Sequence, residues 1–171
     1  MSIVVDRDAR SPHDLLAAEV ELIQGSTRQL LLTLLSLDDA ALAEPSVTRL
    51  GTRRHVVARL VRHADRRLAA IEGTPEPIAD DALLRVTHAE LLDRVTGSLG
   101  AVIASLSAHP AGAAPQASLD AAREHLAWLE LSHVDLGAGR TIDAIPDAAL
   151  DAVATHFQAD RHSPFAALVA H

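Results

Sequence analysis

Apolar residues recur at helical spacing in four separate stretches of this 171-residue chain. In the first stretch the repeat comprises Leu16, Val20, Ile23, Leu30 and Leu34. In the third it comprises Leu91, Val95, Leu99, Val102 and Leu106. Such intervals put the apolar side chains on one face of an α-helix. No stretch has the alternation of a strand, and four amphipathic helices joined by loops of moderate length predict an all-α four-helix bundle.

Local start and stop signals give the expected bounds of these helices. Ser11 is a cap followed by proline, and Thr87 with Glu90 forms a capping box. Gly73 suits the end of the second helix, and Ser118 is predicted to cap the fourth. The predicted helices span 12–37, 52–72, 87–108 and 118–137, with proline-containing connections at 73–81 and 108–116 and a short further helix from Pro146 to Phe157. The whole chain, 1–171, is expected to form one domain.

Composition limits both the core and the chemistry. Hydrophobic residues make up 49% of the chain but aromatic residues only 2%, so the core is built from Leu, Val, Ile and Ala, which suits helices better than sheets. The absence of cysteine excludes disulfides, thiolate metal ligands and a cysteine nucleophile. Lysine and tyrosine are also absent, so histidine, the acids, serine, threonine and arginine are the groups available. Neither a G-x-S-x-G motif nor a glycine-rich phosphate loop occurs.

Charge and hydropathy exclude several classes of partner. The net charge of −8 argues against nucleic acid, because binding a phosphate backbone needs a clustered basic surface. The densest basic run, 53–67, lies within one predicted helix and suits a small anionic ligand better than a polymer. The first residues show no leader pattern, and no run of 18 apolar residues occurs. We therefore expect a cytoplasmic protein with no membrane partner.

The fourth predicted helix is apolar on two sides. One stripe comprises Leu119, Ala122, Leu126, Leu129, His133 and Leu136. Trp128 and Leu131 lie well away from that stripe at helical phase. A helix with two apolar faces needs a contact in addition to the bundle core. A homodimer interface, a second domain or a ligand cavity would each satisfy this pattern.

Two separated stretches also resemble a known family. Residues 37–65 read LDDAALAEPSVTRLGTRRHVVARLVRHAD, which resembles the opening of the mycothiol-dependent maleylpyruvate isomerase family. Residues 129–153 read LELSHVDLGAGRTIDAIPDAALDAV, which resembles the fourth helix of that family and the turn after it. The family belongs to the DinB/YfiT-like superfamily. The resemblance therefore implies a DinB-like four-helix bundle with a short C-terminal helix.

The resemblance also implies a site built around a divalent metal and the thiol cofactor mycothiol. In the family, a histidine of the second helix binds the metal together with a glutamate and a histidine four residues apart on the fourth. The equivalent positions here hold Arg59, Trp128 and Ser132. None of these side chains is an ordinary metal ligand. We therefore expect a site without a metal, and without the thiol activation that the metal supplies.

Ten histidines leave a relocated metal site as an alternative. Glu130 and His133 are three residues apart on one helix, which is a usable ligand spacing, but no third ligand is evident. His63 with His125 or Glu124 is another combination, which depends on how the two helices face each other.

The positions equivalent to the metal ligands are candidates for ligand binding. Arg59 is predicted either to hold a carboxylate or phosphate through its planar guanidinium, or to lie in solvent opposite the apolar stripe of its helix. His63, one turn later, is the best-placed proton carrier, with a solvated role as the alternative. Trp128 and Ser132 share a helix face and either line a pocket or pack without a ligand.

Four further polar residues match the family: His55, Asp65, His133 and Asp135. Of these, His55, His133 and Asp135 are candidate ligand-binding residues. His133 also lies on the apolar stripe of the fourth helix. A buried neutral histidine with one hydrogen-bond partner is therefore the other interpretation of this residue.

Two functions follow from these patterns. In the first, a metal-independent isomerase or transferase acts on or binds a small anionic molecule of specialised metabolism, with Arg59 and His63 as catalytic residues. In the second, the bundle is a non-catalytic interaction or dimerisation module that uses the additional apolar face of the fourth helix. A polar cavity containing Arg59 favours the first function, whereas a filled cavity with Arg59 in solvent favours the second.

Overall fold

The computed structural model describes residues 11–75, 81–108, 115–160 and 162–168. The α-helices in these residues are α1 (Pro12–Ser36), α2 (Asp39–Ala43), α3 (Arg53–Glu72), α4 (His88–Ser107), α5 (Pro115–Asp135) and α6 (Asp147–Ala159). Turns of 3₁₀-helix occupy Asp81–Leu84, Ile142–Ala144 and Ala166–Leu168. The described ranges contain no strand, only an isolated antiparallel bridge between Pro45 and Thr52. The predicted all-α class is confirmed.

The helix bounds follow the capping signals of the sequence. The Ser11 hydroxyl accepts a hydrogen bond from the Asp14 backbone N–H at 3.2 Å, and that of Thr87 accepts one from the Glu90 N–H at 3.3 Å. Both complete a capping box. Gly73 ends α3 in the left-handed conformation, with a φ of 66°. The bounds predicted as 12–37, 52–72 and 87–108 are correct to within one residue.

The start of α5 differs from the prediction. The helix begins at Pro115 and ends at Asp135, so Ser118 lies inside it and is buried rather than acting as the cap. Proline favours this earlier start because its fixed φ suits the first helical turn, where a missing N–H loses no intrahelical bond. The larger parts of the two predicted connections, 76–80 and 109–114, lie outside the described residues.

Four of the helices form the bundle. α1 and α3 each pack against both α4 and α5, so the four lie in a ring in the order α1, α5, α3, α4. α6 packs on α5 in addition, and α2 packs on α3. The apolar stripes predicted for α1 and α4 are buried in full. None of the helices described here has the length and apolar character that crossing a membrane requires.

α5 is the most enclosed helix. From His125 to Leu136 every side chain except that of Trp128 is buried. The second apolar face of α5 is covered by α6 and by Phe165, whose ring centroid lies 4.9 Å from that of Trp128. An additional contact of the kind expected from the sequence is therefore made within the chain, by α6 and Phe165.

Burial of α5 requires its polar side chains to find partners on other elements. Glu130 accepts hydrogen bonds from Ser26 of α1 and from Arg140, whose Nη2 lies 2.6 Å from Oε2. His133 Nε2 lies 2.8 Å from Oγ1 of Thr33, also on α1. These contacts hold α5 against its neighbour α1.

A glycine after α5 contacts the loop before α3. Gly137 has a φ of 63°, and a Cβ atom at this position would lie 2.9 Å from Cγ2 of Val47. Gly73 has nearly the same φ, 66°, but open space around its Cα. The two glycines therefore share one backbone requirement and differ in their surroundings.

Gly137→Ala should lower the free energy of unfolding by more than Gly73→Ala does. The Gly73 variant carries only the cost of the left-handed conformation, about 1–2 kcal/mol, whereas the Gly137 variant must also displace Val47. Chemical denaturation of both variants measures the difference. Equal losses would show that the loop moves aside at no cost.

Candidate functional site: a cavity between three helices

A cavity of about 620 Å³ lies between α3, α5 and α6. Its volume is within the range of roughly 300–1,000 Å³ that small-molecule sites occupy. The lining residues are His63, Arg66, Arg67, Ala70, Asp120, Arg123, Glu124, Trp128, Ala152, Thr155, His156, Ala159 and Asp160. On each helix they recur at the intervals i, i+3, i+4 and i+7 or i+8, so each helix contributes one face.

The three aromatic residues of the chain gather at this cavity. Trp128 lines it, and the ring of Phe165 packs edge-on against Trp128 with a centroid distance of 4.9 Å. Phe157 lies 5.6 Å from His156, another lining residue. Aromatic side chains bury large apolar surfaces, and here Trp128 forms an apolar part of the wall while Phe165 and Phe157 pack against two lining residues.

His63 is the buried histidine of the cavity wall. Its ring is parallel to those of Trp128 and His125, with centroid distances of 4.5 Å and 5.6 Å. The residue is 5% exposed, and its Nε2 has no hydrogen-bond partner in the described residues. Burial, followed by the nearby His125 and Arg67, lowers the pKa of His63 well below 6.5. The ring is therefore neutral at pH 7 and can accept a proton from a bound molecule.

His125 is fully buried beside His63. Neither of its ring nitrogens has a hydrogen-bond partner within the described ranges. Burial, and then the charge of Arg67, lowers its pKa to about 4. Unsatisfied buried nitrogens reduce stability, and such local conflicts are expected at functional sites.

Charged residues line part of the cavity. Arg67 forms an ion pair with Glu124, and Arg123 forms one with Glu19 at 3.1 Å. The Nε of Arg67 is nevertheless buried, with no partner among the residues described. An arginine N–H can only donate a hydrogen bond. This atom therefore requires an acceptor that the described chain does not supply.

Arg59 does not line this cavity. Its Nη2 donates to Oδ2 of Asp135 at 2.9 Å, and its Nη1 donates to the carbonyl of Leu50 at 3.2 Å. Asp135 has no exposed surface and also accepts from the backbone N–H and hydroxyl of Thr48, at 2.8 Å and 3.1 Å. Arg59 thus belongs to an ion pair that fixes loop 46–51 to α5. The sequence predicts Arg59 either in a ligand cavity or in solvent, and the side chain lies in neither.

The other predicted residues lie apart from one another. Ser132 is buried but does not line the cavity. His55 is exposed, and its Nδ1 lies 2.8 Å from the hydroxyl of Thr52 at the start of α3. His133 is the buried histidine bonded to α1. Of all the predicted site residues, His63 and Trp128 line the cavity.

Sequence reasoning missed Arg67, Arg123 and His156. Arg67 is four residues after His63 and therefore shares its helix face, a signal that the sequence does contain. His156 reaches the cavity because α6 packs on α5, which periodicity does not indicate. Its Nε2 lies 2.8 Å from the hydroxyl of Ser163.

The side chains do not fit the divalent metal that the resemblance implies. At the equivalent ligand positions, Arg59 is paired with Asp135, and the indole of Trp128 is stacked on His63. The third position, Ser132, offers a single hydroxyl. Within the described ranges, no group of three or more His, Cys, Asp or Glu side chains could hold a metal ion, and this covers both relocated combinations.

Comparison with known proteins supports the fold. A crystal structure of a mutant of the mycothiol-dependent maleylpyruvate isomerase is similar, with a TM-score of 0.70. The match covers 85% of this chain and 70% of that chain, at 18% sequence identity. The two chains share a fold. No protein-family model matches the sequence, and no curated protein matches it. At this identity the similarity confirms the predicted DinB-like bundle and extends to architecture alone.

Arg59→Leu should destabilise the protein. The substitution leaves the buried Asp135 carboxylate without its cation, and removing one partner of a buried ion pair costs about 3 kcal/mol or more. Arg62→Leu is the matched control, because Arg62 pairs with exposed Asp81 at 3.5 Å and an exposed pair contributes less than about 1 kcal/mol. Urea unfolding measures both. An Arg59→Leu protein as stable as the wild type would contradict the stabilising role given to this ion pair.

Two buried histidines should make the fold sensitive to acid. Burial, followed by Arg67 and Arg140 respectively, lowers the pKa of His125 and of His133 to about 4. A histidine in the unfolded chain titrates near 6.5, so between about pH 6.5 and 4 the unfolded state binds more protons than the folded state. The two histidines therefore lower the free energy of unfolding by nothing above pH 6.5, where they are neutral in both states. That free energy falls as the pH drops from 6.5 to 4, by about 3 kcal/mol per histidine in total, and below pH 4 these two histidines cause no further loss.

Urea unfolding at a series of pH values measures this loss. His125→Leu should reduce the loss by the share of one histidine. It should also raise stability at pH 7, because leucine has no unsatisfied polar atoms. His13→Gln, at an exposed position in α1, is the control and should keep the wild-type pH dependence. A His125→Leu variant that loses as much stability in acid as the wild type would contradict the role given to His125.

Proposed function

We propose that the cavity between α3, α5 and α6 binds a small anionic molecule, as a ligand or as the substrate of a metal-independent isomerase or transferase. One observation carries the proposal. On the face of α3 that lines the cavity, His63 Nε2 and Arg67 Nε are buried and have no partner in the described residues. An unsatisfied buried polar group costs about 1–3 kcal/mol. A ligand that accepts hydrogen bonds at these atoms removes that cost.

The lining supports an organic molecule rather than an inorganic ion. Trp128 provides an apolar wall, and Ala70 and Ala159 leave room beside it. Small-ligand sites combine an apolar lining with a few placed polar groups. A ligand with one anionic group and an apolar remainder matches this division.

His63 is the proton carrier of the proposal. A buried imidazole without a partner can accept a proton from a bound molecule or return one, as isomerase chemistry requires. Arg59, which the sequence favours as the anion contact, is replaced in this role by Arg67, because the Arg59 guanidinium is bonded to Asp135. The proposal assigns no role to a metal or to mycothiol.

A second candidate, the non-catalytic interaction module, is favoured by a different observation. Leu32 and Leu35 of α1 are 62% and 63% exposed. Both line a shallow apolar groove that reaches Ile103 of α4. Apolar surface of this kind is typical of protein contacts. The homodimer and the cytoplasmic location stay predictions.

A binding screen tests the cavity proposal. Small carboxylates and phosphates are titrated by calorimetry, and the emission of Trp128, the only tryptophan, reports whether the cavity is the site. Arg67→Met should weaken binding by about 1.5–3 kcal/mol, the worth of a hydrogen bond to a charged group. Arg62→Met is the matched control, on the same helix but outside the cavity, and should bind like the wild type.

Two results would count against the proposal. If no small anion binds, the cavity is not an anion site and the interaction module becomes the leading function. If an anion binds equally well to the wild type and to Arg67→Met, the anion contact lies elsewhere.

A further inference from the structure

His63 Nε2 and Arg67 Nε, the two cavity atoms without a partner in the described residues, differ in whether they must carry a hydrogen. Arg67 Nε always carries a hydrogen, whereas a neutral histidine carries one on only one of its two ring nitrogens. The two side chains are four residues apart on α3 and share the face that lines the cavity. A carboxylate has two oxygens and can accept from both side chains once His63 Nε2 is protonated.

We propose that the ligand is an organic carboxylate that binds together with one proton, which His63 holds in the bound state. This inference rests on the proposed function and specifies the anionic group and the coupled proton. The proton comes from the solvent, and no bond other than the N–H bond of His63 is formed.

Stacking against Trp128 favours the charged form of His63. The two rings are parallel to within 10°, with centroids 4.5 Å apart, so the imidazole lies on the face of the indole. A cation within about 6 Å of the face of a tryptophan is attracted by the negative face of the ring. The site therefore already contains one element that stabilises a protonated histidine.

Positive neighbours explain why the proton arrives with the ligand. Arg66 and Arg67, on the same helix as His63, are the positive neighbours. His125 faces His63 from α5 and His156 lines the cavity from α6, but burial lowers the pKa of both, so both are neutral at pH 7. Burial and these groups together keep the pKa of His63 low in the free protein. An anion bound at Nε2 supplies the opposite charge and raises the pKa of His63.

The acids of the cavity do not supply that charge. Glu124 is paired with Arg67, and Asp120 accepts a hydrogen bond from a side chain one turn earlier, at 2.8 Å. Asp160 accepts from a backbone N–H two residues later, at 3.0 Å. All three are exposed to solvent, which screens them.

Calorimetry on the intact protein tests the coupling. The probe is cyclohexanecarboxylate, with the uncharged cyclohexanecarboxamide as its matched analogue and inorganic phosphate as an anion without an apolar part. Titrations from about pH 8 to 6, in buffers of different ionisation enthalpy, count the protons taken up. We expect up to one proton per carboxylate, an association constant that rises by up to about tenfold per pH unit as the pH falls, and weaker binding of the amide and of phosphate.

A variant locates the proton. His63→Gln retains a hydrogen-bond donor but cannot titrate, so it should bind the carboxylate without proton uptake and with little pH dependence. His13→Gln removes an exposed histidine outside the cavity and should keep the wild-type proton count. The number of protons taken up per carboxylate is measured on the wild-type protein itself. The test therefore does not depend on whether His63→Gln folds.

The outcomes separate this inference from the proposed function. Carboxylate binding without proton uptake, or equal binding of the amide, would overturn the inference and leave the cavity as an anion site. Proton uptake that persists in His63→Gln would place the proton on another group and overturn it as well. Failure of every small anion to bind would instead remove the proposed function, and this inference with it.

Discussion

Enclosure of α5 is the constraint on which the rest of the structure depends. A helix covered by α1, α3 and α6 cannot leave a polar side chain unpaired without a loss of stability. Glu130 and His133 therefore meet partners on or near α1, and Asp135 meets the loop before α3. These contacts fix the positions of one neighbouring helix and one loop relative to α5, so the polar residues of the core determine how the elements are arranged.

The cavity is one place where this pattern fails. His63, His125 and Arg67 each have at least one buried nitrogen without a partner in the described residues, and all three lie in or beside the cavity. Elsewhere in the core, Glu130 and Asp135 are each bonded to two residues. Single buried atoms without a partner in the described part of the chain also occur away from the cavity, at Glu19 Oε2, Thr27 Oγ1, Arg59 Nε and Arg140 Nε. The cavity differs in bringing three such side chains together, a local conflict of the kind expected at a functional site.

The fold could be predicted because its signals are local. Capping boxes and apolar spacing act within single helices, and they placed α1, α3 and α4 to within one residue. The site depends on contacts between distant residues. Arg59 is held by Asp135, 76 positions along the chain, a pairing that the helical phase of Arg59 does not indicate. Trp128 could be found because it occupies a position equivalent to a metal ligand of the family, and His63 because it lies one turn after another such position. The cavity itself results from the packing of α6 on α5.

One wall of the cavity belongs to α6, which lies outside the ring of four helices. Thr155 and Ala159 face the cavity and are exposed, so substitutions there alter its size and polarity without entering the core of the bundle. In the proposed function, the anion contacts His63 and Arg67 lie on α3, whereas α6 sets the size and polarity of another wall. Under that proposal, mutation of one short helix changes which molecules the cavity accepts, while selection for stability acts mainly on the four helices beneath it.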